Sequence, residues 1–380
     1  MTKEQGKKQK GFNKGDYLEY RAKRLLFHMG YYTTQGVIVK SSLKDAYDVV
    51  TDLDVYGVYI HKDFRKKSVW LDCKSGFTKP LERISWIKGV KQEVDADDAI
   101  FITKRIRDTV KTFARDSSIQ IFDRDMLSQI EESYGIGEDD WKGSWNPDTM
   151  NNKIKTFSQL NSPDNKHFKD IANFISSDYW AIDYYSQVKK VITALKTINN
   201  ETPPSLREED SKAFMWSIYK LIILFTLSLL NISRELYFFS EEERNTQLLD
   251  GLLSSDIPLK RRNEILKASY SLAYELVRDK FPDTKFSFDK DMINIAPPSY
   301  FEALKDLLSR VIKNPFTYYD ILRSMDFLLM EYDLNQKGYN EKEILNYCSK
   351  FEENKVGLKS IFHFINQVTG IPKDYFQIIS

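Results

Sequence analysis

The chain has 380 residues, of which 56 are Lys or Arg and 55 Asp or Glu, leaving a formal charge of +1. With 42% hydrophobic, 14% aromatic and 29% charged residues it can bury a sizeable core, which excludes wholesale disorder, and its length suits two domains. Two cysteines, Cys73 and Cys348, exclude a disulfide framework or a cysteine-rich zinc site and point to a reducing, cytoplasmic setting.

Residues 1–14 are basic and polar, and read as a flexible tail rather than a secretory signal. Gly6 and Gly11 have phosphate-loop spacing, but Phe12 and Asn13 follow where Lys and Ser or Thr belong, which disfavours a P-loop ATPase. A helix is expected over 16–29, with Leu18, Ala22, Leu25 and Met29 as its core stripe and Glu19 at the border of that stripe. Asp16 and Glu19 also form a D-x-x-E capping pattern, so Glu19 has two roles open to it. Extended segments follow over 36–40, 48–61 and 68–74, the last two joined as an antiparallel pair by the polar turn 61–67. A helix after Pro80, a strand over 99–103, a short helix over 107–115, a strand over 119–122 and a helix from Arg124 complete an α/β unit.

Beyond the acidic, Trp-containing segment 135–147, apolar residues recur at helical spacing over 171–175, 188–195, 214–239, 265–277, 300–312 and 321–330, with Pro203-Pro204 and Pro297-Pro298 as breakers. The charge-free stretch between Lys220 and Arg234 has 13 residues, short of the roughly 20 that a spanning helix needs, so a buried helix and no membrane are expected. The aromatic clusters 178–185 and 316–319 are expected in the core. Charge is unevenly distributed: 24 Lys+Arg face 15 Asp+Glu over 1–115, 2 face 9 over 116–150, and 30 face 31 thereafter. The basic excess sits in the first third, where a phosphate backbone could lie across it.

The chemistry-bearing stretch is Val69-Trp70-Leu71-Asp72-Cys73-Lys74. Strand alternation sends Val69, Leu71 and Cys73 to one face, the expected core, and Asp72 and Lys74 to the other. A hard divalent cation favours carboxylate and carbonyl oxygens, and a nearby lysine can orient a water or neutralise charge on a phosphate. About six D/E-x-K matches arise by chance in a chain of this composition, so context must supply specificity. Asp52 and Asp54 supply it 18 or more positions upstream, as carboxylates on a neighbouring strand where acidic residues are otherwise depleted. The helix after Pro80 carries Lys79, Arg83, Lys88 and Lys91, basic positions suited to phosphate contacts without base readout. The acidic run 95–98 lacks the glycine and terminal glutamate of an EF-hand and is expected to be a turn.

Over residues 11–135 this layout resembles the PD-(D/E)xK nuclease superfamily, nearest in arrangement to its Mrr-like and Holliday-junction-resolvase-like members. The resemblance is carried by the Gly15-Asp16-Tyr17-Leu18-Glu19 helix, by Leu53-Asp54-Val55, by Val69 to Lys74, and by the two later strands. It implies a restriction endonuclease-like mixed sheet flanked by helices (15–150), followed by an all-helical domain for recognition or assembly (151–380). It further implies Mg²⁺, with Mn²⁺ as substitute, on Asp54, Asp72 and the Cys73 carbonyl, Lys74 as catalytic lysine and Glu19 as an accessory acid. The implied partner is DNA, cleaved by a restriction-type or phage-defence endonuclease acting with a second copy or a defence-system protein. The alternatives are a nuclease for branched DNA and a non-enzymatic nucleic-acid-binding protein that keeps the fold. No proline precedes Asp54, which departs from the family pattern.

Overall fold

The computed structural model describes residues 14–40, 49–76, 78–104, 106–137, 147–160, 166–202, 205–254, 259–281, 296–336 and 338–379. The tail with Gly6 and Gly11, Asp48, Pro203-Pro204, and Trp141 and Trp145 lie outside them.

Five strands, β1 (Tyr32–Lys40), β2 (Val49–Ile60), β3 (Lys66–Cys73), β4 (Asp98–Thr103) and β5 (Ile119–Asp123), form one sheet in sequential order. β1, β2 and β3 pair antiparallel, and β3, β4 and β5 pair parallel. The connections explain the change of direction. A short turn joins β2 to β3, closed by His61 N–H donating to Arg65 O (2.9 Å), with Phe64 at φ 60° and buried. Helices α2 (Pro80–Glu93) and α3 (Asp108–Asp116) provide the longer crossovers that parallel pairs require.

Helices α1 (Lys14–His28) and α4 (Arg124–Ser133) cover one face of the sheet, where Leu18, Ala22, Leu25 and Leu127 pack on Val55, Leu71 and Ile102. Met29, expected to end that stripe, lies past the helix and is exposed. A Cβ at Gly57 would lie 2.9 Å from Leu26 Cδ1 and 3.0 Å from Val69 Cγ1, so the close seating of α1 needs glycine there. On the opposite face Trp70 and Phe101 join Ile84, Ile87 and Val90 of α2 in a second core. Both faces of β3 are thus buried, as parallel strands require, which corrects the expectation that Val69, Leu71 and Cys73 alone face a core.

Lys14 and Gly15 are already helical, so Asp16 lies inside the helix and is not an N-cap, and the capping role expected for Glu19 is not realised. Its other end is a Schellman turn at Gly30 (φ 99°), with Tyr31 N–H on Leu26 O and Gly30 N–H on Phe27 O, each at 3.0 Å.

The remainder is helical: α5 (Pro147–Ser158), α6 (Lys166–Ser176), α7 (Tyr184–Asn200), α8 (Glu208–Leu236), α9 (Glu241–Leu253), α10 (Leu259–Lys280), α11 (Phe301–Lys313), α12 (Pro315–Tyr318), α13 (Ile321–Phe327), α14 (Glu341–Tyr347) and α15 (Phe351–Thr369). A π turn, Leu328–Tyr332, continues α13. α8 has 29 residues and is apolar enough to cross a membrane by length and composition, yet 94% of its most apolar window is buried inside the protein. It is the core helix of this half. Tyr179 and Tyr318 are buried as expected, whereas Phe316 is exposed.

The hydrophobic core runs without a break from the α2 face of the sheet into the helices. Phe64 packs edge-on against Tyr237 (5.6 Å between centroids) and Tyr56 against Trp180 (5.8 Å). Lys220, buried in α8, donates to Tyr32 Oη (3.0 Å) and Thr34 Oγ1 (3.1 Å) of β1. Arg323 of α13 donates to Phe27 O at 2.6 Å, capping the last turn of α1, and its guanidinium lies 5.1 Å from the Phe27 ring centroid. The boundary near residue 150 therefore separates two kinds of secondary structure and does not separate two cores. A fragment ending there exposes the apolar faces of β1 and β2. When expressed alone it should bind a hydrophobic dye strongly and unfold without a cooperative thermal transition, both measurable by fluorescence and calorimetry.

Candidate active site

The β2–β3 ladder ends at Val55 opposite Leu71, whereas β3–β4 pairing continues to Cys73 opposite Ile102 and then to Lys74 N–H on Ile102 O at 2.8 Å. At its last residues β3 therefore has one edge paired and one edge open. The open edge is taken by a side chain: Cys73 N–H donates to Asp54 Oδ2 at 2.7 Å. Lys74 Nζ reaches the same oxygen at 3.1 Å and stands 3.4 Å from Asp72 Oδ1. The two carboxylates, 18 positions apart in sequence, thus meet on one ammonium at the carboxyl end of β3.

Asp54 is 7% exposed and Asp72 1%, while Asp52 is exposed on β2. Of the two upstream aspartates, only Asp54 enters the fork. Burial raises the Asp54 carboxyl above its ordinary value, the Asp72 charge adds to this, and Lys74 and the Cys73 N–H oppose it. Burial alone would lower Lys74, but Asp54 and Asp72 outweigh it and hold the amine above its ordinary value. Lys74 is consequently an ammonium at neutral pH, which makes it a source of charge and hydrogen bonds and not a base.

Glu19 comes to this fork from α1. Its pKa is raised from 4.5 to about 8, first by burial, then by the carboxylates of Asp54 and Asp16, with Lys74 opposing. A carboxyl that keeps its proton to this pH has the range of a group that transfers protons near neutrality.

Asp72 has a further partner. Arg83 of α2 donates from Nε to Asp72 Oδ2 at 2.8 Å and from Nη2 to Oδ1, and stacks on Trp86 with 3.6 Å between its guanidinium carbon and the ring centroid. The residue expected to touch phosphate is thus committed to a site carboxylate. The other basic positions of α2 are dispersed. Lys79 pairs with Glu82 at 3.0 Å in solvent, Lys91 reaches Ser118 O at 3.5 Å, and Lys88 is exposed about 140° around the helix from Arg83. Sequence reasoning passed over Arg124, the first residue of α4, which donates to Ser75 O at 3.0 Å beside Lys74. The signal was available: ligands of α/β sheets gather outside the carboxyl ends of parallel strands, where the residues after β3, β4 and β5 converge.

Among the described residues no three His, Cys, Asp or Glu side chains form a group able to hold a metal ion. Two carboxylates and a backbone carbonyl are nonetheless hard oxygen donors of the kind Mg²⁺ takes, with water and phosphate completing its shell. Asp54, Asp72 and the Cys73 carbonyl fit that chemistry, since both carboxylates already converge on one cation. No family model, curated protein or solved structure matches the chain.

Two consequences can be measured. Asp72→Asn sets a neutral, buried amide against the partly buried, stacked Arg83 guanidinium, and should lower stability by about 3 kcal/mol in denaturant titrations. For Glu19, a folded pKa above the unfolded one gives stability that is complete below about pH 4.5 and is lost as pH rises through about 8. In chelator-containing buffer, the thermal midpoint of the wild type should therefore fall relative to Glu19→Gln between about pH 6 and about pH 9. Buried Lys23, lowered to about 8, has the opposite slope but is common to both proteins and cancels in the difference.

Proposed function

We propose that the protein is a metal-dependent deoxyribonuclease that hydrolyses phosphodiester bonds at the β2–β3 fork. The observation that carries this reading is the meeting of Asp54 and Asp72 on the Lys74 ammonium, at the carboxyl end of β3 and beside Glu19. Asp54, Asp72 and the Cys73 carbonyl would hold Mg²⁺, or Mn²⁺ in its place, which when bound supplies Lewis-acid activation of water and neutralises phosphate charge.

The chain's own groups have separable tasks. Lys74 directs an ammonium toward the phosphate and stabilises negative charge developing on its oxygens. Glu19 holds a proton on its carboxyl near neutral pH and can pass it to the departing oxygen. The buried walls of Val55, Leu71 and Trp70 exclude water behind the carboxylates and strengthen their field. Exposed Lys79, Lys88 and Arg124 offer contacts to the backbone that set no base preference. The setting that fits the family resemblance is a restriction-type or phage-defence endonuclease.

A second reading is favoured by the Arg83–Asp72 pair. Two carboxylates balanced by Lys74 and Arg83 form a self-satisfied ionic cluster, which suits a nucleic-acid-binding protein that keeps the fold without the reaction.

Incubation of the purified full chain with duplex, branched and RNA substrates in Mg²⁺ or Mn²⁺ separates the two. Metal-dependent cleavage of DNA is expected. Lys74→Met and Asp54→Asn should each slow it by roughly 10²-fold or more while the circular dichroism spectrum is retained, and Asp52→Ala should stay near wild type. Binding without cleavage in either metal would decide for the second reading.

A further inference from the structure

Both oxygens of Asp72 are engaged by Arg83, and Lys74 Nζ stands 3.4 Å from one of them. Arg83 is supported from behind: its guanidinium lies on Trp86, which packs edge-on at 5.6 Å against the buried Trp70. Asp54 and Asp72 on one side, Lys74 and Arg83 on the other, make a formally neutral set, and a divalent cation gains little by entering it until one positive charge leaves. The two cations are held differently: Lys74 stands between both carboxylates, whereas the side-chain hydrogen bonds of Arg83 among the described residues run to Asp72 alone, so its departure frees Asp72 without disturbing Asp54. Its side chain is 24% exposed against 2% for Asp72, so Arg83 is the member of the pair that meets solvent at the rim. A guanidinium fork matches two phosphate oxygens as well as two carboxylate oxygens.

Resting on the nuclease reading, we propose that Arg83 is a gating counter-ion that occupies Asp72 until a nucleic-acid phosphate draws the guanidinium away, leaving Asp72 free to ligate the divalent cation. Metal and nucleic acid then bind cooperatively, because each favours the arrangement in which Arg83 has left Asp72, and the coupling is the same in both directions. Arg83 acts on the metal through Asp72 and is a positioning residue, not a catalytic one.

The test is calorimetric titration of Mn²⁺ into the full chain, alone and with a short phosphorothioate duplex, for wild type, Arg83→Gln and Arg83→Lys. Removing the competing guanidinium should tighten Mn²⁺ binding without nucleic acid by at least about tenfold in Arg83→Gln. Arg83→Lys, which keeps the charge but loses the two-pronged contact, should fall between. The duplex should tighten Mn²⁺ binding in wild type and have little effect in Arg83→Gln. A purely structural Arg83 would lower the thermal midpoint and leave this coupling in place. Should Arg83→Gln fail to fold, Arg83→Lys decides: tighter Mn²⁺ binding than wild type supports the gate. Mn²⁺ affinity that is unchanged or weaker in the folded variants overturns the gate while leaving the nuclease reading standing. Absence of Mn²⁺ binding in wild type and variants, with and without duplex, overturns both.

Discussion

Because β2 stops pairing with β3 at Val55 while β4 keeps pairing as far as Cys73, the end of β3 is held rigidly along one edge and left without backbone partners along the other. A buried amide cannot be left in that condition without cost, and the Asp54 carboxylate resolves it by accepting the Cys73 N–H at 2.7 Å. That single bond brings a second carboxylate beside Asp72, draws Lys74 between them, and gives Glu19 a negative neighbour. Had the ladder continued by two residues, the Cys73 amide would have been paired in the ladder and Asp54 would have lacked its place at the fork.

The fork depends in turn on α1, which serves both halves. Glu19 on its first turns feels the charges of Asp54 and Lys74, Ala22 and Leu25 pack against the sheet, and Phe27 at its end gives its carbonyl and its ring to Arg323 of the helical half. Lys23 lies between these points, fully buried, its pKa lowered to about 8 by burial, with Asp326 opposing and Lys220 assisting. A buried ionic seam of this kind adds little net stability while intact, yet removing one partner typically costs about 3–5 kcal/mol. It therefore fixes how the helices sit on α1 and β1 more than how strongly they adhere. A rotation of the helical half cannot leave α1 unmoved, since cap, ring contact and buried lysine all belong to it.

Much of the fold was legible because its elements carry strong local signals. Pro80 marks the first turn of α2, Asp123 caps α4 by accepting Met126 N–H, Gly30 closes α1, and alternation and short turns separate the strands. The convergence of Asp54 and Asp72 followed from pairing two strands across the 61–67 turn. Three features were hidden. The burial of both faces of β3 depends on α2 folding back over one side while α1 and α4 close the other, which no local pattern reports. The helical conformation of Lys14 and Gly15 turned an apparent capping box into helix interior. Arg83 looked like a phosphate contact because a cation on an amphipathic helix looks alike whether it faces solvent or a carboxylate; only the crossover that lays α2 along β3 distinguishes the two.

The same lesson applies to charge. Residues 1–115 carry nine more basic than acidic side chains by the counts of 24 and 15, which suggested a broad phosphate-binding surface. Three of those cations are spent inside the protein: Arg21 and Arg24 pair with Glu131, an acidic residue beyond that segment, and Lys23 is buried in the interior. An ion pair turned inward contributes little to the field that a polyanion feels at a Debye length, so the net count overstates the attraction. What counts is where exposed cations remain. Lys104 after β4 and Arg124 after β5 are exposed at the sheet end where the half-buried Lys74 follows β3, so part of the remaining positive field lies at the carboxyl ends of the parallel strands, in front of the fork.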